Sequence, residues 1–473
     1  MVKKIILVFV CVLLAAALLA GCNESYKTKA IDTEKSDTVY SNGGLAVRYG
    51  KYLYYINGYA GNEADNTFGK VQKGAIARVE LDQNGNPILE TNKIIVPKNV
   101  YNTNAQSGLY IVDDYIYYTT PSIDKDSKGK PKVSEMWLMR TKVDGTDTKV
   151  IKKFKSYTPV YKVTKGYILY VLDYELYQID LSSKKFAEKK VDEKISSQLF
   201  TKHDANANGF VDAVFYLKAS ENQNDFHNVL WCYRAGSESP VKVIEADAAT
   251  YGSAAADYPT GFQLTLVDAV YMGGNLRLVY NKTDQGTNKT SAGSYYYDFA
   301  DNLAFNPANE VRLSKKITFT NFWFLDNDTA LVNNGSNIEM IKRAASEWGR
   351  TSVIPGTSGE AKVFDIRENN NEVVVYYLQG NTIYRIPALE KTENGYVDSI
   401  KSSSVVFDAS YNTSWLTPDL VGNNVYFFNT KALDNVYFVN IVAAVDRDAD
   451  SRVGRLVGLI TAEDEVALLT SGS

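Results

Sequence analysis

The chain has 473 residues, a formal net charge of −4, an aromatic content of 12% and 34 tyrosines. This mild acidity gives no reason to expect a nucleic-acid partner, because proteins that bind nucleic acids concentrate Lys and Arg on one face. The length exceeds the usual limit of a single hydrophobic core, about 250 to 300 residues. A repeat architecture resolves this excess, because each repeat packs only against its neighbours.

The first 21 residues have the layout of an export signal. Lys3 and Lys4 precede an uncharged apolar run from Ile5 to Ala20, which is short for a transmembrane helix of about 20 residues. The sequence Leu-Ala-Gly at 19–21, followed by Cys22, resembles the lipobox of bacterial lipoproteins, in which the cysteine sulfur carries a diacylglycerol. We therefore expect residues 1–21 to be removed and Cys22 to anchor the protein by lipid to the extracytoplasmic face of the cell membrane. The alternative is an ordinary secretory signal with an incidental cysteine.

Residues 23–40 carry many charges and no apolar periodicity. This composition predicts a disordered, solvated tether that holds the rest of the chain clear of the bilayer. Cleavage of the signal would leave Cys22 and Cys232 as the two cysteines, so no intramolecular disulfide is expected. Cys232 lies in the strand-like run 230–233 and is predicted to be a small buried apolar residue; the alternative is a reactive thiol.

Residues 41–473 are predicted to form repeated four-stranded units. The second unit contains four apolar runs, at 108–112, 115–120, 136–143 and 148–151, which turn at Asp113-Asp114 and at Asp144-Gly145. Four such antiparallel strands make one propeller blade. Pairs of similar runs recur from Tyr52, Ile168, Ala213, Leu276, Phe322, Val373 and Val425. We therefore predict an all-β fold, a single β-propeller of seven or eight four-stranded antiparallel blades. Residues 462–469 fit a helix or a strand.

Short tyrosine motifs accompany these runs, with Tyr-Tyr-Ile-Asn at 54–57, Tyr-Tyr-Thr-Thr at 117–120 and Tyr-Arg-Ile at 384–386. They resemble the repeats of low-density-lipoprotein-receptor-like (YWTD-type) β-propellers. They are more closely similar to the Tyr-rich propeller domain of unknown function found in lipoproteins of Gram-positive anaerobes. The resemblance covers most of residues 44–441. It implies display at the cell surface and a binding or scaffolding role, and it supplies no catalytic residues.

Loops that join the second and third strands of each blade emerge on one face of a propeller, and their lengths differ here. Residues 57–74, 119–135, 218–228 and 281–293 form long, polar junctions, whereas the third and seventh blades have short turns. Loops displayed on a rigid scaffold commonly carry binding, so we expect a binding surface on this face. The alternative is that surface insertions are simply tolerated.

One segment has the oxygen spacing of a calcium loop, with Gly209 at its sixth position. The candidate ligands are the side chains of Asp204, Asn206, Asn208 and Asp212 and the backbone carbonyl of Phe210. Ca²⁺ prefers such a ring of oxygens, and the alternative is a plain Asn-Gly turn. The three carboxylates of Asp446, Asp448 and Asp450 are better interpreted as a solvated loop.

Catalytic motifs give little support to an enzyme. The two histidines, His203 and His227, are both predicted in loops, which argues against a His-ligated metal centre. The sequence contains no serine-hydrolase, zinc-protease or phosphate-loop motif. We predict a surface-anchored, non-enzymatic binding module for a cell-wall glycan or an envelope protein, with Ca²⁺ as the one candidate cofactor. The alternatives are a scaffold of an envelope assembly, or a propeller-fold polysaccharide lyase or glycosidase that uses paired carboxylates.

Overall fold

The computed structural model describes most of the chain from Ser25 to Leu456. The described residues are 25–26, 28–102, 108–155, 158–202, 212–221, 227–247, 262–284, 292–315, 321–344, 347–380, 382–401, 403–407, 419–429, 432–440 and 453–456. Cys22 and residues 1–21, most of the calcium segment, the acidic residues at 446–450 and the ambiguous segment 462–469 lie outside this set.

Thirty-five strands account for nearly all of the regular structure in these residues. In chain order they are β1 (Ser25–Tyr26), β2 (Val39–Tyr40), β3 (Ala46–Tyr49), β4 (Tyr52–Ile56), β5 (Ile76–Leu81), β6 (Pro87–Val96), β7 (Tyr110–Val112), β8 (Tyr115–Pro121), β9 (Met136–Lys142), β10 (Thr148–Phe154), β11 (Val160–Thr164), β12 (Tyr167–Leu172), β13 (Glu175–Asp180), β14 (Glu188–Asp192), β15 (Ser197–Phe200), β16 (Ala213–Ala219), β17 (Asn228–Arg234), β18 (Val241–Glu245), β19 (Phe262–Met272), β20 (Asn275–Asp284), β21 (Gly293–Phe299), β22 (Val311–Ser314), β23 (Asn321–Phe324), β24 (Thr329–Asn333), β25 (Ile338–Ala344), β26 (Glu347–Val353), β27 (Lys362–Asn369), β28 (Glu372–Gln379), β29 (Thr382–Thr392), β30 (Gly395–Asp398), β31 (Ser404–Phe407), β32 (Asp419–Val421), β33 (Asn424–Asn429), β34 (Ala432–Asn440) and β35 (Val453–Leu456). A single turn of 3₁₀ helix spans Pro307–Asn309, and no described helix has the length and apolarity to cross a membrane.

The strands form eight sheets, each built on four antiparallel strands that are consecutive in the chain. The sheets are the blades of a propeller. Blade 1 is β3–β6, blade 2 is β7–β10, blade 3 is β11–β14, blade 4 is β15–β18, blade 5 is β19–β22, blade 6 is β23–β26, blade 7 is β27–β31 and blade 8 is β32–β35. The predicted all-β propeller is thus confirmed, and the described residues form eight blades. The pair of runs that begins at Phe322 was misassigned: 321–324 is the first strand of blade 6, and β24 lies between it and β25.

The ring closes between blade 8 and blade 1, where β32 contacts β3. The carboxylate Oδ2 of Asp419, at the start of β32, accepts hydrogen bonds from the backbone nitrogens of Leu45 at 2.6 Å and Ala46 at 3.1 Å. Gly44 permits this approach, because a Cβ at that position would lie 2.2 Å from Oδ2 of Asp419. The Nδ2 of Asn424 donates to the carbonyl oxygen of Gly85 at 3.0 Å, which adds a second bond between the two blades.

The hydrophobic core lies in layers between adjacent blades. One layer joins Val47 and Tyr54 of blade 1 to Ile116 and Trp137 of blade 2, and similar layers separate the later blades. Tyrosine suits these layers, because its ring fills apolar space and its hydroxyl reaches a polar partner. The Tyr54 hydroxyl, for example, donates to the carbonyl oxygen of Val143 across the blade boundary at 2.8 Å.

Residues 28–40, which we call the strap, pack against blades 1 and 2. The nitrogen of Ile31 donates to the carbonyl oxygen of Asp144 at 3.0 Å, and the guanidinium of Arg78 donates to the carbonyl oxygen of Asp32 at 3.0 Å. β2, at the end of the strap, pairs with β3, and β1 pairs with the outermost strand of blade 2. The prediction of a solvated tether over 23–40 therefore does not hold for the strap.

Candidate functional site

The long junctions predicted between second and third strands are present in blades 1 and 2, at 57–75 and 122–135. We call the face that carries them the loop face. Because successive strands of a blade alternate in direction, the connections from each fourth strand to the next blade emerge on this face as well. The corresponding junctions of blades 4 and 5 span 220–227 and 285–292, and only part of each is described.

The two described long loops are bonded to each other. Nδ2 of Asn62 donates to the carbonyl oxygen of Val133 at 3.2 Å, and Nδ2 of the buried Asn66 donates to the carbonyl oxygen of Pro121 at 2.6 Å. The Oδ1 of Asn66 accepts from the backbone nitrogen of Asn99 at 2.8 Å. These loops therefore form one cross-linked layer above blades 1 and 2, so part of their polarity serves the fold and not a ligand.

The predicted calcium segment lies in the chain between β15 and β16. It joins the first and second strands of blade 4, and its residues Asp204, Asn206, Asn208 and Phe210 lie outside the described residues. Asp212 is described, and its Oδ1 lies 2.8 Å from the Nζ of Lys162, an almost fully buried side chain that also donates to Thr201. Burial lowers the pKa of Lys162, and the Asp212 carboxylate opposes that shift. The calcium site stays a prediction, and one of its candidate ligands, the Asp212 carboxylate, already forms an ion pair with Lys162.

Cys232 is fully buried in β17, as predicted. Burial raises the pKa of its thiol to about 12, so the sulfur is protonated at neutral pH. A protonated, inaccessible thiol is a poor nucleophile and a poor metal ligand. Cys232 therefore serves packing.

His227 lies beside two carboxylates on the loop face. It directly precedes β17, whereas Glu245 ends β18 and Asp247 follows it, and the antiparallel pairing of Val229 with Glu245 places all three at one end of the hairpin. One ligand atom from each of the three side chains lies within 4.8 Å of the other two. The sequence pattern alone does not indicate this group, because His227 is predicted in a loop and is 18 residues away from Glu245 in the chain. The register of the β17–β18 hairpin is the signal that would have found it.

A cleft of about 1170 Å³ separates blades 5 and 6 at their outer edges. It lies between β22 on one side and β25 with β26 on the other. Asn334 and Ser336 line its end at the loop face, and Ala308 and Asn309 line its other end. The cleft therefore runs along the whole height of the ring. No local sequence pattern indicates it, because its walls come from two different blades.

Two of the acidic residues that line the cleft are engaged by other side chains. Glu310 forms a buried ion pair with Lys282, whose side chain is 2% exposed, and also accepts from the hydroxyl of Tyr280. Glu339 is buried and accepts from Nδ2 of Asn334 at 2.9 Å, with a guanidinium nitrogen of Arg350 at 3.9 Å. These contacts reduce the negative potential that the two carboxylates present to the cleft.

The remaining lining is rich in hydrogen-bond donors and positive charge. Arg312, Lys315, Arg343 and Arg350 line the cleft together with the half-buried indole of Trp348, and the exposed Glu347 is the third acidic residue of the lining. Among the described residues, the Nε atoms of Arg312 and Arg343 and the Nε1 of Trp348 are buried and have no hydrogen-bond partner. Buried donors are normally satisfied. A ligand with several acceptor oxygens and negative charge would complement the four basic side chains that line the cleft.

No family model matches the chain, and no curated protein matches its sequence. Among solved structures, it is similar to a eukaryotic initiation factor, at 11% identity and a TM-score of 0.41 over 88% of this chain and 87% of that chain. It is also similar to Porphyromonas gingivalis dipeptidyl peptidase 4, at 10% identity and a TM-score of 0.45, and spans 62% of that protein. An oligogalacturonate lyase in complex with manganese matches at 8% identity and a TM-score of 0.38 over 86% of this chain and 94% of that chain. At these identities and scores, none of the three assigns an activity to this chain.

Proposed function

We propose that this protein is a lipid-anchored binding module of the cell envelope, and that the cleft between blades 5 and 6 takes up an acidic glycan. The observation that carries the proposal is the basic lining of one cleft, which also contains a half-buried indole. Guanidinium groups pair with carboxylates through charge-assisted hydrogen bonds. An indole adds an apolar face and one donor, a combination that suits a sugar ring.

The ring supplies the rigidity that such a site requires. Trp348 packs edge-on against Tyr296 and Phe324, with ring centroids at 6.2 Å and 6.4 Å. One guanidinium nitrogen of Arg312 is held by the carbonyl oxygen of Ala292 at 2.6 Å, which fixes its side chain across the cleft edge. A site preorganised in this way loses less conformational entropy when it binds a ligand.

The carboxyl groups whose pKa values are most strongly raised serve the fold. Burial raises the pKa of Asp419 to about 7 and that of Asp365 to about 6. An oxygen of Asp419 accepts the two backbone bonds that close the ring, and Asp365 pairs with the guanidinium of Arg367 at 3.0 Å. These contacts favour a structural role for Asp419 and Asp365 over a role as the paired carboxylates of a glycosidase. They are therefore consistent with a ring that binds a ligand without cleaving it.

Membrane attachment through Cys22 would place the ring close to the bilayer. β1 begins three residues after Cys22 and pairs with Lys149 and Thr148 at the outer edge of blade 2. Three extended residues reach about 10 Å, so an acylated Cys22 would lie near that edge. Mass spectrometry of the mature protein tests the anchor: diacylglycerol on Cys22, and release of the Cys22→Ala variant from membranes, are the expected results.

Binding of polygalacturonate to the detergent-solubilised full-length chain tests the cleft, with neutral dextran as the comparison. We expect saturable binding of the acidic polymer that weakens as salt rises. Arg343→Gln and Trp348→Phe should each weaken binding about tenfold, whereas Lys165→Gln, a matched loss of charge on blade 3, should not.

Four outcomes would contradict the proposal. Equal binding of dextran and polygalacturonate would remove the role of charge. Unchanged binding in both cleft variants would place the site elsewhere. Recovery of one envelope protein with this chain in a fixed ratio, through binding that no glycan inhibits, would favour a scaffold. Release of shortened glycan chains would favour an enzyme.

A further inference from the structure

A histidine and two carboxylates converge at the loop face of blade 4. The Nε2 of His227 lies 3.7 Å from Oε1 of Glu245, and one carboxylate oxygen of Asp247 completes a set of three ligand atoms within 4.8 Å of one another. Ligand atoms around a tetrahedral Zn²⁺ lie about 3.4 Å apart, given bonds of about 2.1 Å. Side-chain adjustments of about 1 Å would therefore bring the three atoms to coordination distance.

The backbone that carries these side chains is bonded within blade 4 and, next to His227, to blade 5. The nitrogen of Ala246, between the two acidic residues, donates to the carbonyl oxygen of Asn228 at 3.2 Å, next to His227. The side chain of Asn228 in turn exchanges two hydrogen bonds with the backbone of Leu264 in blade 5, at 3.0 Å and 2.9 Å. The ligand set is thus carried by two paired strands and by a cross-blade bond, and not by a free loop.

The two oxygens of Glu245 have different surroundings. Oε2 accepts from the Nζ of Lys242 at 2.5 Å, whereas Oε1 is the oxygen nearest His227. A ligating carboxylate usually has its second oxygen held by an outer hydrogen bond, which fixes its orientation. Lys242 supplies that bond here and offsets part of the negative charge of the set.

The mixture of ligand types selects a class of metal. Neutral imidazole suits Zn²⁺ and its first-row neighbours, while Ca²⁺ prefers a ring of oxygens alone. A set of one imidazole and two carboxylates also leaves at least one position open in tetrahedral geometry.

We propose that His227, Glu245 and Asp247 form a binding site for a first-row transition-metal dication on the loop face of blade 4. The site is separate from the cleft between blades 5 and 6. A metal there would tie the start of β17 to the end of β18, and its open position would accept an oxygen or nitrogen atom of a ligand at the loop face.

Titration of the chelator-treated full-length chain with Zn²⁺, by calorimetry, tests the site. One Zn²⁺ per chain is expected, with affinity at least tenfold weaker in His227→Ala and in Asp247→Asn. Glu90→Gln, which removes one exposed carboxylate from blade 1, and His203→Ala, which removes the other histidine, should bind as the parent does. Circular dichroism of each variant separates loss of a ligand from loss of the fold, and Asp247, partly exposed, is the substitution that the fold tolerates best.

A second readout identifies the ligands directly. Co²⁺ in place of Zn²⁺ should give a visible absorption band that disappears in His227→Ala. No saturable binding, or Zn²⁺ binding that survives both site variants in folded protein, would overturn the proposal. Loss of binding in His203→Ala alone would assign the metal to another part of the chain and would overturn it equally.

Discussion

The carboxylate of Asp419, in the last blade, lies 2.6 Å from the backbone nitrogen of Leu45, in the first blade, although 374 residues separate them in the chain. Blades 1 and 8 are thereby joined at the start of their innermost strands. A propeller needs such a closure, because each other blade is connected to the next by the chain itself, whereas the last and the first meet only through space.

Loss of this closure should destabilise the whole ring. Asp419→Ala removes the acceptor of two buried backbone N–H groups, which predicts a decrease of about 2–4 kcal/mol in the free energy of unfolding. Urea unfolding followed by tryptophan fluorescence measures it. Asp301→Ala, at a side chain that is 81% exposed, is the control and should change stability by less than about 0.5 kcal/mol. An equally small change in Asp419→Ala would show that the backbone bonds do not hold the ring closed.

The same carboxyl makes stability depend on pH. Burial raises the pKa of Asp419 to about 7, and the neighbouring Asp365 carboxyl adds to the shift. Because the folded protein then binds this proton more tightly than the unfolded chain, the contribution of Asp419 is fully present below about pH 4 and is lost as pH rises towards 7. The guanidinium of Arg367, which pairs with the Asp365 carboxyl at 3.0 Å, lowers the pKa of Asp365 and so opposes the effect of burial on that group.

Asp419→Asn separates the charge from the hydrogen bonds, since the amide oxygen still accepts them. The difference in unfolding free energy between variant and parent should therefore shift in favour of the variant as pH rises from 4 to 7. Other carboxyls, such as Asp114 and Asp192, have lowered pKa values and act in the opposite sense, but they cancel in this difference. A difference that stays constant with pH would contradict the raised pKa of Asp419.

Substitution of either partner of the buried ion pair beside the cleft should lower the free energy of unfolding. Lys282 and Glu310 have side chains that are 2% and 7% exposed, so Lys282→Met or Glu310→Gln leaves a charge buried without its main partner. Each variant should lose about 3–5 kcal/mol of unfolding free energy. The double variant should lose less than the sum of the two, as measured by urea unfolding. Additive losses would show that the pair is not coupled.

The sequence predicted the blades well because the strands of each blade are consecutive in the chain. The runs that became β4 and β5, for instance, carry their own apolar residues and are separated by a polar loop, so a short window contains the whole signal. The count of eight and the position of β24 depended instead on ring closure and on a weak unit. The strap was mispredicted because its polar residues bond to Arg78 and to backbone atoms far along the chain, which no local pattern records.

The candidate sites were less accessible to sequence reasoning for a related reason. His227 and Glu245 become neighbours only through the register of a hairpin, and the walls of the cleft come from two different blades. The long loops were found, but their mutual hydrogen bonds were not, since the partners of Asn66 include an oxygen 55 residues away.

The strap should be protected from proteolysis in the folded protein, and Arg78 should be the residue that holds it. The Arg78 side chain is almost fully buried, donates to the carbonyl oxygen of Asp32 and to the hydroxyl of Thr33, and lies 4.2 Å from the ring centroid of Tyr52. Arg78→Ala removes these contacts at once, so cleavage by trypsin after Lys29 and Lys35 should become at least tenfold faster as the strap detaches. The product is identified by mass spectrometry.

Arg350→Ala, which removes a largely exposed guanidinium from blade 6, should leave the rate unchanged. Rapid cleavage of the parent protein at Lys29 would instead restore the solvated tether that the composition of this segment predicts.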